Sequence, residues 1–549
     1  MKKWKIIGKT KVEPTKLKTE EIIKILLANR KISSLKGKEK FLSPARLTKI
    51  SLREAGLSKV QIEKTKKRVK QAKKNKEKVI VYGDYDADGV CATGIIWEAL
   101  YKKGLDVIPH IPNRFTEGYG LNVESIKELK TKNPKLKLII TVDNGIVAYN
   151  AVKEANKLGI DIIITDHHQK QKKLPAAYSI IHSTMTSGAG VAWFVARELN
   201  KTSAMNSLDL VAIGTIADQL PLMGINRSLV KYGLEALKET SRVGLKKLYR
   251  QAAVVPETIG AYSVSFVIAP RINAMGRMKN GIDALRLLCT KSPTRAQELS
   301  FLLGKTNTKR QEEVEKAVSL ALQMAKEKDW KGVIVIAHEA FHEGVIGLVA
   351  SRLVDEYYRP AIVLSKGKAK SKASARSITG FNMIKNIRKL DNLIHGGGGH
   401  PMAAGFTIDN KKIDEFTKKL TKQSRAKLTK EVLSRKLKID LEVDFINLTF
   451  GLANMISKFS PFGIGNPTPV FSVNKVEVLN VRTVGKEARH LKLKLTQNDK
   501  MFDAIGFNLG HFEKEIQKGS EINIAFGLEI NKWQGNSDLQ LNIKDIKPL

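Results

Sequence analysis

Short apolar runs alternating with amphipathic segments organise the middle of this 549-residue chain. Val79-Ile80-Val81-Tyr82, Leu138-Ile139-Ile140-Thr141-Val142 and Ile160-Asp161-Ile162-Ile163-Ile164-Thr165 are rich in β-branched residues. Strands buried on both faces of a parallel sheet read this way, because helices cover each side. Residues 1–76 are polar with a helical pattern and end in a basic stretch over 64–78, which predicts a solvated helix face. Ser292-Pro293 has the form of a helix N-cap followed by proline at the first helical position. Leu299, Leu302, Leu303, Val314, Ala317, Leu320 and Met324 then recur at helical spacing. They predict one long helix, or two broken near Gly304, joining two lobes. A second α/β texture follows, with strands over 332–337 and 360–364. From about residue 437 short strands with turn residues dominate, and Leu539-Gln540-Leu541-Asn542-Ile543 alternates as the wall of a small β-barrel does.

Composition narrows the partners. Lys+Arg 95 against Asp+Glu 54 gives a net charge of +41. Such an excess favours a polyanion, since phosphate contacts release counterions; a solubilising Lys-rich surface is the plainer alternative. Charge does not separate DNA from RNA. Cys91 and Cys289 are the only cysteines, which excludes a disulfide framework or a Cys-type zinc site and points to a reducing interior. The first residues lack the apolar core of a signal peptide and no run approaches membrane-spanning length, so the chain reads as cytoplasmic, with no membrane partner.

Four acidic stretches each follow an apolar run: Asp84-Tyr85-Asp86-Ala87-Asp88-Gly89, Asp143-Asn144-Gly145, Asp166-His167-His168 and Ala217-Asp218. Ligand sites of parallel sheets lie outside the carboxyl ends of the strands, which is where these stretches are expected. Carboxylates and imidazoles arriving from separate strand ends suit a two-cation hydrolytic site. Hard oxygen ligands with one or two imidazoles favour manganese or magnesium over zinc or copper. An EF-hand reading of the first stretch fails, because its twelfth position is Ile95 and a strand precedes it. His338-Glu339-Ala340-Phe341-His342 matches H-E-x-x-H, but it follows a strand, whereas a zinc protease needs that motif on a helix. Gly396-Gly397-Gly398-Gly399-His400 permits close backbone approach to a phosphate, and a helix starting after it would add free N–H donors. A tight packing loop is the alternative. Ser374 and Arg376 offer a hydroxyl and a bidentate guanidinium for the same phosphate. No G-x-x-x-x-G-K-[ST] loop is present, so ATP-driven unwinding is not indicated.

These residues resemble the DHH phosphoesterase superfamily, named for the motif that stands here as Asp166-His167-His168, and within it the RecJ family of single-stranded-DNA-specific exonucleases. Similar stretches include residues 112–120, 270–277, 342–347, 397–406 and 461–467. The resemblance implies an α/β fold of two lobes, a parallel-sheet DHH domain and a smaller DHHA1 domain, joined by a long helix and followed by a C-terminal OB-type β-barrel. The corresponding segments are 1–76 (helical), 77–235 (DHH), 236–327 (helical connector), 328–430 (DHHA1) and 437–549 (OB). It implies a metal-dependent exonuclease that degrades single-stranded DNA from the 5′ end to mononucleotides, in repair and recombination. Asp84, Asp86, Asp88, Asp143, His167 and Asp218 would hold two Mn²⁺ or Mg²⁺ ions. His168 would sit beside the scissile phosphate, with Asp166 orienting the histidines. Arg114, Ser374 and Arg376 match positions that engage the 5′-terminal phosphate. Arg271, Asn273, Arg277, His342, Gly398, Gly399 and His400 would line the strand path or the cleft, and a narrow passage between the lobes would admit single strands only. A monomer working with single-strand-binding protein and a RecQ-type helicase is the implied setting. Phe341 and Glu343 stand where this family usually has Trp and Pro, and His182-Ser183 stands in place of Asn-Pro. Two alternatives remain at this stage: a DHH phosphoesterase of short oligonucleotides or cyclic dinucleotides, and a non-catalytic single-strand-binding replication factor.

Overall fold

The computed structural model describes residues 2–533 and 535–549. Two compact units emerge: one from Trp4–Gly276, Asn280–Phe301 and Leu437–Leu549, the other chiefly from Leu302–Lys436.

The first unit is centred on a five-stranded sheet in the order Asp106–His110, Lys78–Tyr82, Leu136–Val142, Asp161–Asp166, Ser179–His182. Every pairing in it is parallel. The three predicted strands are its central ones, and Val79, Ile80, Val81 and Tyr82 have no exposed surface. The two outer strands carry no such run, because an edge strand needs only one buried face. Helices Ala87–Tyr101, Gly188–Leu199 and Leu208–Ala217 pack together beside the sheet. The last of these corrects the expected setting of Asp218, which caps a helix rather than ending a strand. Its apolar run, Leu208-Asp209-Leu210-Val211-Ala212-Ile213-Gly214, has neither period clearly, because the helix is buried on all sides.

Upstream, helices Thr19–Asn29, Leu35–Leu42 and Lys59–Lys74 form the N-terminal part. The basic face of Lys59–Lys74 is solvated as expected, except for Arg68, which is buried and ion-paired to Asp161 and Glu77. The C-terminal strands Leu441–Glu442, Phe471–Val484, His490–Gln497, Lys500–Gly506, Asn536–Pro548 and Glu521–Trp533 are neighbours in that order. Pairing of Phe471–Val484 with Glu521–Trp533 closes the OB-type barrel. Several of these strands are long rather than short; irregularities in register at 473/476, 478/480 and 525/526 let one strand curl around the barrel. Ile22, Ile23, Leu26, Leu27 and Phe41 share one core with barrel residues Phe471 and Phe526. Arg227, wholly buried, donates to the carbonyls of Phe41, Phe459, Lys458 and Ser460. It thereby joins the N-terminal helices and barrel to the sheet region.

One unbroken helix, Pro293–Lys326, leads into the second unit, and Ser292 Oγ accepts from Arg295 N at 3.2 Å as its cap. Gly304 does not break it. The second unit carries a five-stranded sheet ordered Ile394–His400, Ala403–Asp409, Lys370–Arg376, Ala361–Lys366, Ile334–His338. The glycine run therefore lies in an edge strand turning directly into its partner, and no helix begins after it. Gly399 shows why: a Cβ there would stand 2.3 Å from Ala403 O, so only glycine lets the two strands approach. Among the described residues no helix is long and apolar enough to cross a membrane.

Candidate metal centre

The turn after Lys78–Tyr82 sets the first three carboxylates. Asp84 is buried and accepts from Tyr85 N at 2.7 Å. Asp86 caps the helix Ala87–Tyr101, accepting from Asp88 N and Gly89 N at 2.9 and 3.0 Å. Asp88, in its first turn, accepts from Gly188 N and Ala189 N at 2.7 and 2.9 Å, where the helix Gly188–Leu199 has unpaired donors. Asp143 sits at φ +62°, a conformation costly for a residue with a Cβ. Its neighbour Asn144 donates to the carbonyls of Tyr82, Gly83 and Val142, stitching two strand ends together. Glycine makes the room: a Cβ on Gly188 would be 2.3 Å from Asp143 Oδ1, and one on Gly214 2.3 Å from Asp88 Oδ1.

These side chains converge with His167, His168 and Asp218. Three overlapping groups each bring ligand atoms within 4.8 Å of one another: Asp143, His167 and His168; Asp88, His167 and Asp218; Asp84, Asp86 and Asp143. His167 Nε2 lies 3.1 Å from Asp143 Oδ1, 3.7 Å from Asp218 Oδ2 and 4.0 Å from Asp88 Oδ2. Asp143 Oδ1 is buried and, beyond this contact with His167, meets no hydrogen-bond donor. Burial, then the charge of Asp86, raises Asp84 well above the carboxylate range and Asp88 to about 7. Burial, then the charge of Asp88, raises Asp143 and takes Asp218 to about 8. Like charges this close strain one another, and a divalent cation relieves that strain. The donor set and the bare oxygen fit hard divalent ions.

Asp166 is used differently. Its Oδ1 accepts from His167 N, His168 N and His168 Nδ1 at 2.7, 3.1 and 2.8 Å, and its Oδ2 accepts from Ile146 N at 2.9 Å. Burial alone would raise its pKa, but the hydrogen bond and charge of His168 outweigh it and the net shift is down. Burial opposes protonation of His168, yet Asp166 holds its pKa at about 9.

Tyr119, which carried no assigned role in the sequence reading, places its hydroxyl 3.2 Å from His168 Nε2. It lies in the family-like stretch 112–120, between two glycines that the structure places at positive φ. Arg114 lies over the Tyr85 ring at 5.3 Å, and Tyr85 meets Tyr119 edge to face. Asn273 Oδ1 accepts from Ala87 N at 2.8 Å and so braces the Asp86–Asp88 turn. Arg271 donates to Gln251 Oε1 and Val267 O. In the second unit, Arg376 Nη1 donates to Ser374 Oγ at 3.3 Å, and both crowd Gly347, whose Cβ would lie within 3.0 Å of each. Arg277 donates to Gly344 O, and His342 Nδ1 accepts from Gly344 N. Gly398, Gly399 and His400 are exposed on the edge strand. His338 and His342 flank a turn, not a helix, as the rejection of a zinc-protease motif requires.

Fold and site together define a DHH phosphoesterase, and residues 78–215 match the DHH family, N-terminal domain. Residues 330–425 match the DHHA1 domain and 439–545 the RecJ OB domain. The chain belongs to the RecJ family. It is 37% identical over 490 residues to the single-stranded-DNA-specific exonuclease RecJ of Bacillus subtilis (strain 168), covering 87% of this chain and 62% of that protein. Against its counterpart from Dickeya dadantii (strain 3937) the identity is 31% over 521 residues, 88% of this chain and 89% of the relative. The crystal structure of RecJ in complex with Mn²⁺ from Thermus thermophilus superposes with a TM-score of 0.82 at 27% identity, over 99% of this chain and 79% of that one. The chain thus spans less than two thirds of the Bacillus relative's length.

Proposed function

We propose that this chain is a metal-dependent exonuclease that hydrolyses single-stranded DNA from the 5′ end to 5′-mononucleotides, in DNA repair and recombination. The observation that carries the reading is the convergence of five carboxylates and His167 into overlapping ligand groups around a buried, hydrogen-bond-free Asp143 oxygen. Asp84, Asp86, Asp88, Asp143, His167 and Asp218 would hold two Mn²⁺ or Mg²⁺ ions. Such ions polarise a phosphate and lower the pKa of bound water. Around them the chain positions the substrate. Asp166 fixes the His168 ring through Nδ1 and keeps it cationic, so that Nε2–H can be donated to a phosphate oxygen as charge develops there. Arg114 in the first unit, and Ser374 and Arg376 in the second, would each offer cationic or hydroxyl donors to a phosphate of the strand. The remaining basic surface and the barrel hold the strand's backbone and bases. Single-strand-binding protein and a RecQ-type helicase are the partners this reading suggests, with the chain acting as a cytoplasmic monomer.

Digestion of 5′- and 3′-labelled single strands with Mn²⁺ tests the proposal. Mononucleotides released first from the 5′ label support it. Equal cleavage of duplex, or unchanged hydrolysis after Asp143→Ala, overturns it. Small substrates need no extended groove, and comparing long single-stranded DNA with a dinucleotide as substrates separates this reading from that of a small-substrate phosphoesterase.

A further inference from the structure

We propose that His182 is a positioning residue for the turn that carries His167 and His168, an inference that rests on the site described above. His182 ends the outer strand Ser179–His182 and pairs in register with Asp166, the last residue of its neighbour. Its ring reaches two residues beyond that strand end, and Nε2 lies 2.7 Å from the backbone carbonyl of His168. A carbonyl only accepts, so His182 Nε2 carries the proton and donates. The His167–His168 turn is thus held from two sides. Asp166 Oδ1 gathers its N–H groups from within, and His182 ties down its carbonyl from without.

The frame behind His182 is itself fixed. Gln61 Oε1 accepts from Ile180 N at 3.1 Å, and the hydroxyls of Thr65 and Ser179 meet at 2.7 Å. Ser183, the next residue, donates its N–H to Asp166 O at 3.2 Å and its hydroxyl to Ala55 O at 2.6 Å. Both bonds need groups that a proline at this position would lack. His182 and Ser183 therefore form a working unit: Ser183 anchors the strand end to the N-terminal segment, and His182 passes that anchorage to the histidine turn. Beside His182 lies a surface pocket of about 350 Å³, also lined by Ile146 and Lys170. The hydrogen bond to His168 gives the ring a fixed polar partner on the histidine turn. Partners that orient ligand-bearing segments in this way typically account for about 10- to 100-fold in activity or metal affinity.

Three variants of the full chain test the assignment: His182→Phe keeps ring bulk without a donor, His182→Gln places an amide N–H near the position of Nε2, and His182→Ala removes both. Two readouts are compared, kcat and KM on single-stranded DNA, and Mn²⁺ affinity followed by electron paramagnetic resonance. The Phe and Ala variants are expected to lose about tenfold in kcat, the size of one hydrogen bond, with KM unchanged and Mn²⁺ bound more weakly. The Gln variant should recover most of both. Wild-type values in the Phe variant, or a Gln variant as impaired as Ala, overturn the proposal. Should the unmodified chain fail to cut DNA, the proposed function falls, while the Mn²⁺ comparison still decides the role of His182.

Discussion

Gly188 leaves no space for a side chain against Asp143: a Cβ would stand 2.3 Å from Oδ1 and 2.5 Å from the carboxyl carbon. The helix that feeds two N–H donors to Asp88 thus also walls in a carboxylate oxygen that has no hydrogen bond. Gly188→Ala is expected to push Asp143 out of the cluster. Mn²⁺ affinity and kcat should fall by about 100-fold, while far-ultraviolet circular dichroism stays unchanged. Full metal affinity in this variant would show that Asp143 has freedom the packing denies it.

Removing the Asp143 charge should separate stability from activity. With no cation added, burial and the neighbouring carboxylates disfavour the charged form of Asp143, so the folded protein must either hold a buried charge there or take up a proton, and Asp143→Asn is expected to stabilise the chelated protein by about 1–2 kcal/mol. The unmodified protein should gain about 2.7 kcal/mol at a cation concentration 100 times its Kd, and the variant much less. Thermal melts with chelator and with Mn²⁺ measure both. A variant that melts lower under chelation contradicts this account of the site.

Tyr119→Phe deletes the hydroxyl facing His168 Nε2 and nothing else. A loss in kcat of about tenfold with little change in KM is expected, since the partner histidine remains held by Asp166. Single-turnover rates on a short single strand check it.

Glu117 ties the loop that presents Arg114 and Tyr119: it accepts from Asn113 N at 2.8 Å and meets His110 Nε2 at 2.9 Å. Burial acts to raise its pKa, but the bonds from His110 and Asn113 prevail and the folded value is lowered. A carboxylate lowered on folding contributes stability above its unfolded pKa, about 4.3, and loses that contribution as pH falls through the folded value. Glu117→Gln should therefore cost about 1–2 kcal/mol at pH 7 and progressively less below pH 4. Denaturant melts across that range test it, and a pH-independent cost would refute the linkage.

How far the architecture was legible depends on what each segment must satisfy. The central strands announce themselves because burial on both faces demands unbroken β-branched runs, as in Leu138-Ile139-Ile140-Thr141-Val142. Asp106–His110 and Ser179–His182 do not, since an outer strand tolerates Pro109 and a polar His182. A uniformly apolar segment has no period, so the helix before Asp218 could not be told from a strand. Glycine runs are equally ambiguous: residues 396–399 admit both a helix start and a hairpin, and the short reach between Gly399 and Ala403 decided for the hairpin. The acidic side chains and histidines that stood out along the chain do converge. The contacts of Tyr119 and His182 were invisible, because they depend on loops meeting across 49 and 14 positions of sequence.

The shared core of the N-terminal helices and the barrel also has a consequence in time. Ile22, Leu26 and Phe41 leave the ribosome long before Phe471 and Phe526, with which they share a core. During synthesis those early apolar faces wait for partners more than 400 positions away. Such late closure slows folding and exposes sticky surface meanwhile. Nascent chains halted before residue 437 should therefore engage chaperones through the helices around Ile22, Leu26 and Phe41, and chains extended past the barrel should let go.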